Sequence, residues 1–365
     1  MSSKHKPECV KLITNPNSGK ALEAPSLLEQ AVRCLSDYGI KVDVAFGSPQ
    51  EESSIIARRA VKEGYKTIIA MGGDGTIGAV IRGIAGSDIT LGIIPAGTMN
   101  DIAASIGIPE VVEEACALIA KGETRKLDLG VIKTSKNKKF YFFMVTAIGI
   151  TAALFPDVEK FAKGHPSKLK DAISTLTHYK TKPEIALTLD EDSKINVKTM
   201  LVTVTNTPLI ASKNLVAPDA SLQDGLFDIS VFPNFSKAQV LSYFARTAEE
   251  SLIPDGKLQR FRASTVKIKS KPKLEIAADG ISLGKGTAVI KMHRGALRVF
   301  APSVGSGDEK SKVEKLAELD APLSPFVENS DTKLDKKQQK KKQKERQSAK
   351  KEKQKDRQTV NRSKE

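Results

Sequence analysis

The chain has 365 residues, with 58 basic and 43 acidic side chains and a formal net charge of +15. Hydrophobic residues make up 40% of the chain, which is enough for a packed core and excludes disorder throughout. The three cysteines, Cys9, Cys34 and Cys116, lie far apart in sequence, so neither a disulfide framework nor a zinc site is expected, and a reducing compartment fits them.

Residues 9–122 alternate between strand and helix patterns. Apolar runs predict strands at 10–13, 42–46, 67–71 and 90–94. Apolar residues at helical spacing predict helices near 27–35, 77–84 and 112–119. Ser48 and Glu51 have the form of a capping box, which predicts a further helix that starts after Ser48. This order of elements predicts a parallel sheet that is covered by helices.

Three loops at the predicted strand ends are rich in small and polar residues: 14–20, 72–78 and 95–101. Ligands of parallel sheets bind at the carboxyl ends of the strands, so we expect the three loops to converge on one crevice. The GGDGT segment stands between a strand and a helix, where backbone N–H groups and the helix N-terminus favour a phosphate group. A tight strand–helix turn is the alternative for any one loop, but the three loops together predict nucleotide binding.

The pattern changes after Asp128 to short β-like runs separated by turns. The predicted strands are 140–145, 184–189, 199–204, 227–232, 266–269, 274–277, 288–291 and 297–300. Helical patterns are confined to about 168–178 and 237–249. We therefore predict an α/β domain at 1–127 and a second, strand-rich domain of sandwich or barrel type at 128–302.

Beyond Pro302 the chain is polar, which predicts a linker at 303–332 and a disordered tail at 333–365. The tail contains fifteen basic and five acidic residues and therefore carries +10 of the net charge. Basic clusters of this kind are attracted to anionic membrane surfaces, which we predict as the partner of the tail. RNA or another polyanion is the alternative partner, although no aromatic residues are interleaved for base stacking. Simple solubilisation is the remaining interpretation.

Several motifs of the chain resemble those of one known family. NPNSGK, GGDGT, PAGTMNDIAASIGIP and KLDLG look like the diacylglycerol-kinase-type catalytic domain of bacterial soluble lipid kinases, which are related to sphingosine kinases. The resemblance continues through 217–232, 278–280 and 295–302, and so covers about 9–302. It implies an α/β domain similar to that of phosphofructokinases and NAD kinases, a β-sandwich domain for the lipid substrate, and ATP in the cleft between them.

The resemblance also implies an ATP site in the three loops and acidic residues that organise Mg2+ and water around the phosphates. The acidic residues would be Asp74, Asp101 and Asp128, for each of which capping of its own loop is the alternative. The residues of the ATP site would be Asn15, Pro16, Asn17, Ser18, Gly19, Gly72, Gly73, Asp74, Gly75, Thr76, Gly97, Thr98 and Asn100.

A structural Mg2+ is implied at the Asp224-Gly225-Leu226 turn. Asp224 would bind it through its carboxylate, and Ser221 and Leu226 would bind it through main-chain oxygens, a donor set that suits a hard cation. An ordinary Asp-Gly hairpin turn is the alternative.

The catalytic base that the resemblance implies is Asp279, in the DG(E) motif of the family. It would take the proton from the lipid hydroxyl, and burial in a lipid-facing cleft would raise its pKa. Ile281 stands where the family carries a further acidic residue, and Gly78 and Ala79 replace a usual Asn-Glu pair. These differences leave open a weakly active member of the family.

Together these patterns predict an ATP- and Mg2+-dependent lipid kinase that phosphorylates a hydroxyl of a diacylglycerol-like or sphingoid-like lipid. A kinase of a soluble hydroxyl substrate such as NAD is the first alternative, because GGDGT is shared with such enzymes. A catalytically weak nucleotide- or lipid-binding protein is the second. We expect a cytoplasmic protein that associates peripherally with membranes, and a homodimer is left open.

Overall fold

The computed structural model describes residues 6–16, 24–48, 51–135, 139–152, 182–210, 214–233, 235–237, 239–240 and 258–303. The predicted helix at 168–178, most of that at 237–249, almost all of the predicted linker and the whole predicted tail lie outside these residues. The helices are α1 (Ala24–Asp37), α2 (Ser53–Lys62), α3 (Asp74–Ile84), α4 (Asp101–Ile106) and α5 (Val112–Lys121). The strands are β1 (Cys9–Thr14), β2 (Lys41–Phe46), β3 (Thr67–Gly72), β4 (Thr90–Pro95), β5 (Thr124–Thr134), β6 (Lys139–Phe142), β7 (Val145–Gly149), β8 (Glu184–Leu189), β9 (Ser193–Lys198), β10 (Leu201–Thr205), β11 (Leu209–Ile210), β12 (Asn214–Leu215), β13 (Phe227–Val231), β14 (Gln259–Ala263), β15 (Thr265–Lys271), β16 (Leu274–Ala278), β17 (Ile281–Gly286) and β18 (Ala288–Phe300).

The N-terminal part is an α/β layer, as the alternating pattern predicts. Strands β1 to β4 are parallel, lie in the order β2-β1-β3-β4 and are followed by helices along the chain. In the register of the sheet, Thr14 is opposite Met71 and Met71 is opposite Ile94. Three strands therefore end at the same level, which places the first residues after β1, β3 and β4 side by side.

The long strand β18 returns to this layer from the C-terminal part of the described chain. Arg298 and Val299 pair in parallel with Thr90 and Leu91 of β4, and β18 also pairs with the antiparallel strands β5 and β15. The first sheet thus has ten strands and continues through β15 to β8 and β9. The domain boundary that the sequence predicts after Leu127 falls inside β5.

A second, antiparallel sheet has the strand order β14-β13-β10-β7-β16-β17. The apolar core that it shares with the first sheet contains Phe142 of β6 and Phe227 of β13, whose rings stack at 5.7 Å between centroids. Two sheets with a common apolar core form the C-terminal β-sandwich, which confirms the predicted fold class.

Two local predictions differ from the structure. Ser48 Oγ accepts the N–H of Glu51 at 3.0 Å, but α2 begins only at Ser53, so this hydrogen bond closes a turn that precedes the helix. The single strand predicted at 140–145 is interrupted, because β6 ends at Phe142 and β7 starts at Val145. Among the described residues, no helix has both the length and the apolar character that a membrane crossing requires.

Candidate functional site

The loops after β3 and β4 cross each other at two glycines. A Cβ atom on Gly97 would lie 2.3 Å from the Cα atom of Gly73, far closer than two non-bonded carbon atoms can approach. The N–H of Ala96 donates to the carbonyl of Gly72 at 3.0 Å, which holds the two loops together. The glycines that the sequence assigns to phosphate binding are therefore also required for the contact between the loops.

Helix α3 starts at this crossing. Its N-terminal residues Gly73 and Asp74 are half-buried, Gly75 is exposed, and a Cβ atom on Gly75 would meet nothing within 4 Å. The carbonyl of Gly73 accepts the N–H groups of Thr76 and Ile77 at 3.0 Å, and these bonds close the first turn. The exposed start of an eleven-residue helix combines N–H donors with the positive end of the helix dipole, which favours an anion.

Asp74 connects the GGDGT loop to α4. Its carboxylate accepts the N–H of Ile102 at 2.8 Å and the N–H of Asp101 at 3.2 Å, and Asp101 itself is only 2% exposed. Burial raises the pKa of Asp74, whereas the backbone N–H groups of Ile102 and Asp101 lower it. The structure therefore brings together two of the three acidic residues that were predicted near the phosphates.

Asn100 shapes the loop in which Thr98 lies. Its side-chain Oδ1 accepts the N–H of Gly97 at 2.9 Å, its Nδ2 donates to the carbonyl of Gly97 at 3.1 Å, and its φ of 56° turns the chain into α4. Thr98 and Met99 are exposed at the tip of this loop. The buried Asn100 thus builds the loop, and the exposed Thr98 faces outward.

The first loop of the predicted site is described only at its start. The carbonyl of Thr14 accepts the N–H of Gly47 at 2.7 Å, Asn15 is half-buried, and Pro16 is exposed. The other predicted residues of this loop, Asn17, Ser18 and Gly19, lie outside the described residues.

Asp128 lies in β5 and forms hydrogen bonds to two turns that are distant in sequence. Its Oδ2 accepts the N–H of Gly225 at 2.7 Å, and its Oδ1 accepts the N–H of Gly295 at 2.6 Å. With 2% exposure, the carboxylate is almost completely enclosed. Asp128 is therefore brought together with the turn that contains Asp224, through contacts that stabilise the fold.

Asn206 is a site residue that the sequence reasoning missed. It is 1% exposed, and its Nδ2 donates to the carbonyl of Phe143 at 2.8 Å and to the carbonyl of Asp128 at 3.1 Å. It thus connects β5 with the segment that binds Asp279. The signal in the sequence is the polar run Thr205-Asn206-Thr207, all buried, directly after an apolar strand.

The polar groups at the Asp224 turn, where a structural Mg2+ is implied, already have hydrogen-bond partners. One oxygen of the Asp224 carboxylate accepts the N–H of Leu226 at 2.9 Å, and the other is bound to the guanidinium of Arg262. Arg294 donates to the main-chain carbonyl of Asp224 at 2.7 Å, and the Ser221 hydroxyl accepts the N–H of Gln223. A guanidinium in contact with the carboxylate repels a dication, so the Asp224 carboxylate as it is paired here does not suit a structural Mg2+.

Asp279 lies at the turn between β16 and β17 and binds the interruption between β6 and β7. Its Oδ2 accepts the N–H of Phe143 at 2.7 Å, and its Oδ1 accepts those of Met144 and Val145 at 2.9 and 3.0 Å. These N–H groups bind the carboxylate, which explains why the strand predicted at 140–145 is interrupted here. A carboxylate has about four acceptor positions, so one position on Oδ2 is left after these three bonds.

Burial raises the pKa of Asp279, while the three backbone N–H groups and the positive charge of Arg82 lower it. The burial effect is the largest of these, so the pKa of Asp279 stays above its usual value although the N–H groups and Arg82 partly stabilise the charge. Such a group can accept a proton at the remaining position of Oδ2.

Comparison with known proteins finds family matches in both parts of the chain. Residues 9–132 match the diacylglycerol kinase catalytic domain, and residues 149–301 match the YegS C-terminal NAD kinase beta sandwich-like domain. Residues 9–132 therefore carry a diacylglycerol kinase catalytic domain. This confirms the resemblance found in the motifs and the predicted class of enzyme, a lipid kinase.

Curated relatives match over most of their length. The chain is 29% identical to a diacylglycerol kinase of Bacillus subtilis (strain 168) over 283 residues, which cover 74% of this chain and 88% of that protein. It is 28% identical to a diacylglycerol kinase of Mycobacterium tuberculosis (strain ATCC 25618 / H37Rv) over 299 residues, which cover 81% of this chain and 96% of that protein.

Solved structures share the fold. The crystal structure of a diacylglycerol kinase from Bacillus anthracis str. Sterne superimposes with a TM-score of 0.63 at 23% identity, covering 82% of this chain and 98% of that one. A yeast NADH kinase complexed with NADH gives a TM-score of 0.53 at 11% identity, covering 88% of this chain and 90% of that one. The predicted relation to NAD-kinase-like folds is confirmed at the level of architecture.

Proposed function

We propose that the protein transfers the γ-phosphoryl group of ATP, bound with Mg2+, to a hydroxyl group of a diacylglycerol-like or sphingoid-like lipid. The observation that carries the proposal is the crossing of the GGDGT and PAGTMND loops at the start of α3. There, glycine backbone and an exposed helix N-terminus offer donors to phosphates. A diacylglycerol kinase catalytic domain makes ATP the expected phosphoryl donor and a lipid the expected acceptor.

In this proposal the ATP phosphates lie on the backbone of Gly72 to Thr76, beside Gly97 and Thr98. Asn15, with Pro16 to Gly19, completes the nucleotide site. Asp74 and Asp101 would organise the Mg2+ and water around the phosphates, because carboxylate oxygens suit this cation. Asp128 contributes by keeping the neighbouring turns in place rather than by touching the nucleotide.

Asp279 is the proposed general base. The lipid hydroxyl gives its proton to Oδ2 of Asp279 as its oxygen forms a bond to the γ-phosphorus, and the bond between that phosphorus and the β–γ bridging oxygen breaks to release ADP. Phosphoryl transfer depends mainly on positioning and charge, so a fixed carboxylate and a preformed phosphate loop supply what the step requires.

The basic tail at 333–365 is proposed to attract the enzyme to anionic membranes, where its substrate is found. Its net charge of +10 supports this role, since each basic residue near such a surface contributes about 1 kcal/mol. A variant that ends at Asn329 should sediment less with vesicles of phosphatidylcholine and phosphatidylserine, yet retain activity on detergent-dispersed lipid. Unchanged sedimentation would contradict the membrane role, and binding of RNA in preference to vesicles would favour the alternative partner.

The kinase proposal is tested with purified full-length protein, radiolabelled ATP and three acceptors: a diacylglycerol, a sphingoid base and NAD. Asp279→Asn is expected to abolish transfer to lipid. The matched control is Asp190→Asn, since Asp190 also has a positive φ and accepts the N–H groups of Ser264 and Thr265, but in the turn between β8 and β9.

The control separates a catalytic role from a structural one. We expect Asp190→Asn to keep its activity after correction for the folded fraction. Transfer to NAD alone, or no transfer by a protein that binds ATP, would refute the proposed function.

A further inference from the structure

The bend at Phe143 and Met144, between β6 and β7, is held from two sides. On one side, the Asp279 carboxylate accepts the three N–H groups of 143–145. On the other side, Asn206 donates twice: its side-chain Nδ2 binds the carbonyl of Phe143 at 2.8 Å, and its main-chain N–H binds the carbonyl of Met144 at 2.8 Å. The bend therefore lies between the proposed base and one asparagine.

Two peptide groups connect Asn206 with one oxygen of Asp279. A peptide group is planar and rigid, so the direction of its carbonyl determines the direction of its N–H. The carbonyl of Phe143 and the N–H of Met144 belong to one such group, and the carbonyl of Met144 and the N–H of Val145 belong to the next. Both N–H groups donate to Oδ1 of Asp279, at 2.9 and 3.0 Å, and both carbonyls accept from Asn206. Asn206 thus controls the orientation of two of the three donors that hold the carboxylate.

The side chain of Asn206 is fixed in one orientation. Its Nδ2 also donates to the main-chain carbonyl of Asp128 at 3.1 Å, so both hydrogens of the amide are used. Turning the amide over would place Oδ1 against two carbonyl oxygens, which repel it. Oδ1 is buried and has no hydrogen-bond partner among the described residues, at a cost in stability. The amide therefore serves at this position as a pair of donors.

We propose that Asn206 is a positioning residue for Asp279 and acts through the peptide groups at 143–145. The inference rests on the proposed function, in which Asp279 is the general base. A general base must keep its free oxygen position aligned with the hydroxyl group that it deprotonates, and a rigid hydrogen-bonded support limits its movement. Donation to a carbonyl also polarises the peptide group and strengthens the hydrogen bond that its N–H donates. Asn206 therefore both orients and strengthens the donors that hold the base.

Steady-state kinetics of Asn206→Ala test this role. We expect kcat to fall by about tenfold to a hundredfold, because the donors of Asp279 lose their alignment. The KM for ATP should stay near the wild-type value, because the proposed phosphate site lies at the start of α3. The number of ATP sites per chain, measured by calorimetry, should also stay unchanged, which separates the loss from a smaller folded fraction. The matched control is Thr207→Val, since Thr207 is equally buried and donates its hydroxyl to the carbonyl of Leu209 at 3.1 Å.

A second measurement needs neither ATP nor lipid, and so separates a failure of this inference from a failure of the proposed function. The chain has six methionines, so 15N-labelled methionine gives few amide signals in an NMR spectrum, and Met144→Leu identifies that of Met144. The Met144 N–H binds Asp279, so its chemical shift reports the ionisation of this carboxyl group in a pH titration, and Asp279→Asn should abolish the response. Misaligned donors stabilise the charge less, so Asn206→Ala should move the midpoint of the titration to higher pH, whereas Thr207→Val should not.

An unchanged kcat or an unchanged midpoint in Asn206→Ala would overturn the inference. An equal effect of Thr207→Val would also overturn it, since that effect would come from the loss of any buried hydrogen bond. If Asn206→Ala does not fold, Asn206→Ser is measured in the same way, because it keeps the main-chain donor and a short polar side chain. A shifted midpoint in a protein without lipid kinase activity would refute the proposed function and still support Asn206 as the residue that positions Asp279.

Discussion

Asp228→Asn is expected to stabilise this protein, and more so at alkaline pH. Asp228 lies on β13 with 17% of its side chain exposed, and its Oδ2 is buried without a hydrogen-bond partner among the described residues. Burial raises the pKa of Asp228 to about 6; the charge of Arg262 opposes this shift, and that of Asp224 adds to it. The ionised form of this carboxyl group is therefore poorly accommodated in the folded protein.

The size of the stability change follows from the difference between the pKa of Asp228 in the folded protein and its pKa in the unfolded chain. The ordinary pKa of an aspartate is 3.8, so between about pH 4 and pH 6 Asp228 ionises in the unfolded chain but not in the folded protein. At pH 7 this difference lowers the free energy of unfolding by about 3 kcal/mol. Asparagine does not ionise and avoids this loss, in which the attraction of Arg262 at 3.5 Å is already counted. We expect a gain of about 3 kcal/mol at pH 8 and about 1.5 kcal/mol at pH 5.

Equilibrium urea denaturation at pH 5 and pH 8 measures both gains. Asp88→Asn is the control, because Asp88 is exposed and its substitution should leave stability unchanged at both pH values. A gain of equal size at the two pH values would refute the reasoning, since it would originate in packing rather than in ionisation. A loss of stability at pH 8 would show that the contact with Arg262 outweighs the burial of the charge.

Three further perturbations have distinct readouts. Gly97→Ala places a Cβ atom 2.3 Å from the Cα atom of Gly73, so we expect a lower melting temperature and at least about tenfold weaker ATP binding in calorimetry. Asp128→Ala leaves two backbone N–H groups without their acceptor and should decrease the unfolding free energy by about 3 kcal/mol in urea titrations. The melting temperature of the wild type should not change on addition of EDTA, because Arg262 already pairs with the Asp224 carboxylate. Arg262→Gln removes this partner, and its melting temperature should rise in millimolar Mg2+. A wild-type melting temperature that falls in EDTA would contradict this.

The sequence predicted most of the central strands of the fold and missed several strands at the edges of the sheets. The central strands are continuous apolar runs, and β8 was predicted with its observed bounds, Glu184–Leu189. Among the strands that were missed, β9, β14 and β17 are edge strands with polar or charged residues, such as the SKINVK run of β9. The long buried strand β5 and the two-residue strands β11 and β12 were missed as well. Edge strands carry such residues because these prevent pairing with other chains, so the apolar alternation on which the prediction depends is absent there.

The position of the candidate site could be predicted from the sequence, but the hydrogen-bond partners of its side chains could not. Parallel strands of equal register bring the loops after β1, β3 and β4 together, and this follows from the order of elements alone. The partners of each polar side chain do not follow from it. Asp128 binds Gly225 and Gly295, which are 97 and 167 residues away in sequence, and no local pattern indicates such contacts.

The departures of this chain from its family motif become coherent when charge is considered. A half-buried carboxylate is tolerated in a protein only if N–H donors or a cation compensate it. Asp279 has three backbone N–H donors and the charge of Arg82, and Asp224 has the guanidinium of Arg262 in contact. At both places an arginine supplies the positive charge, and at Gly78 the loss of a side chain gives one of these arginines its space. A side chain at position 78 would compete for the space of the Arg82 guanidinium, so the glycine there is explained by packing against an arginine and is not by itself a sign of a decayed site.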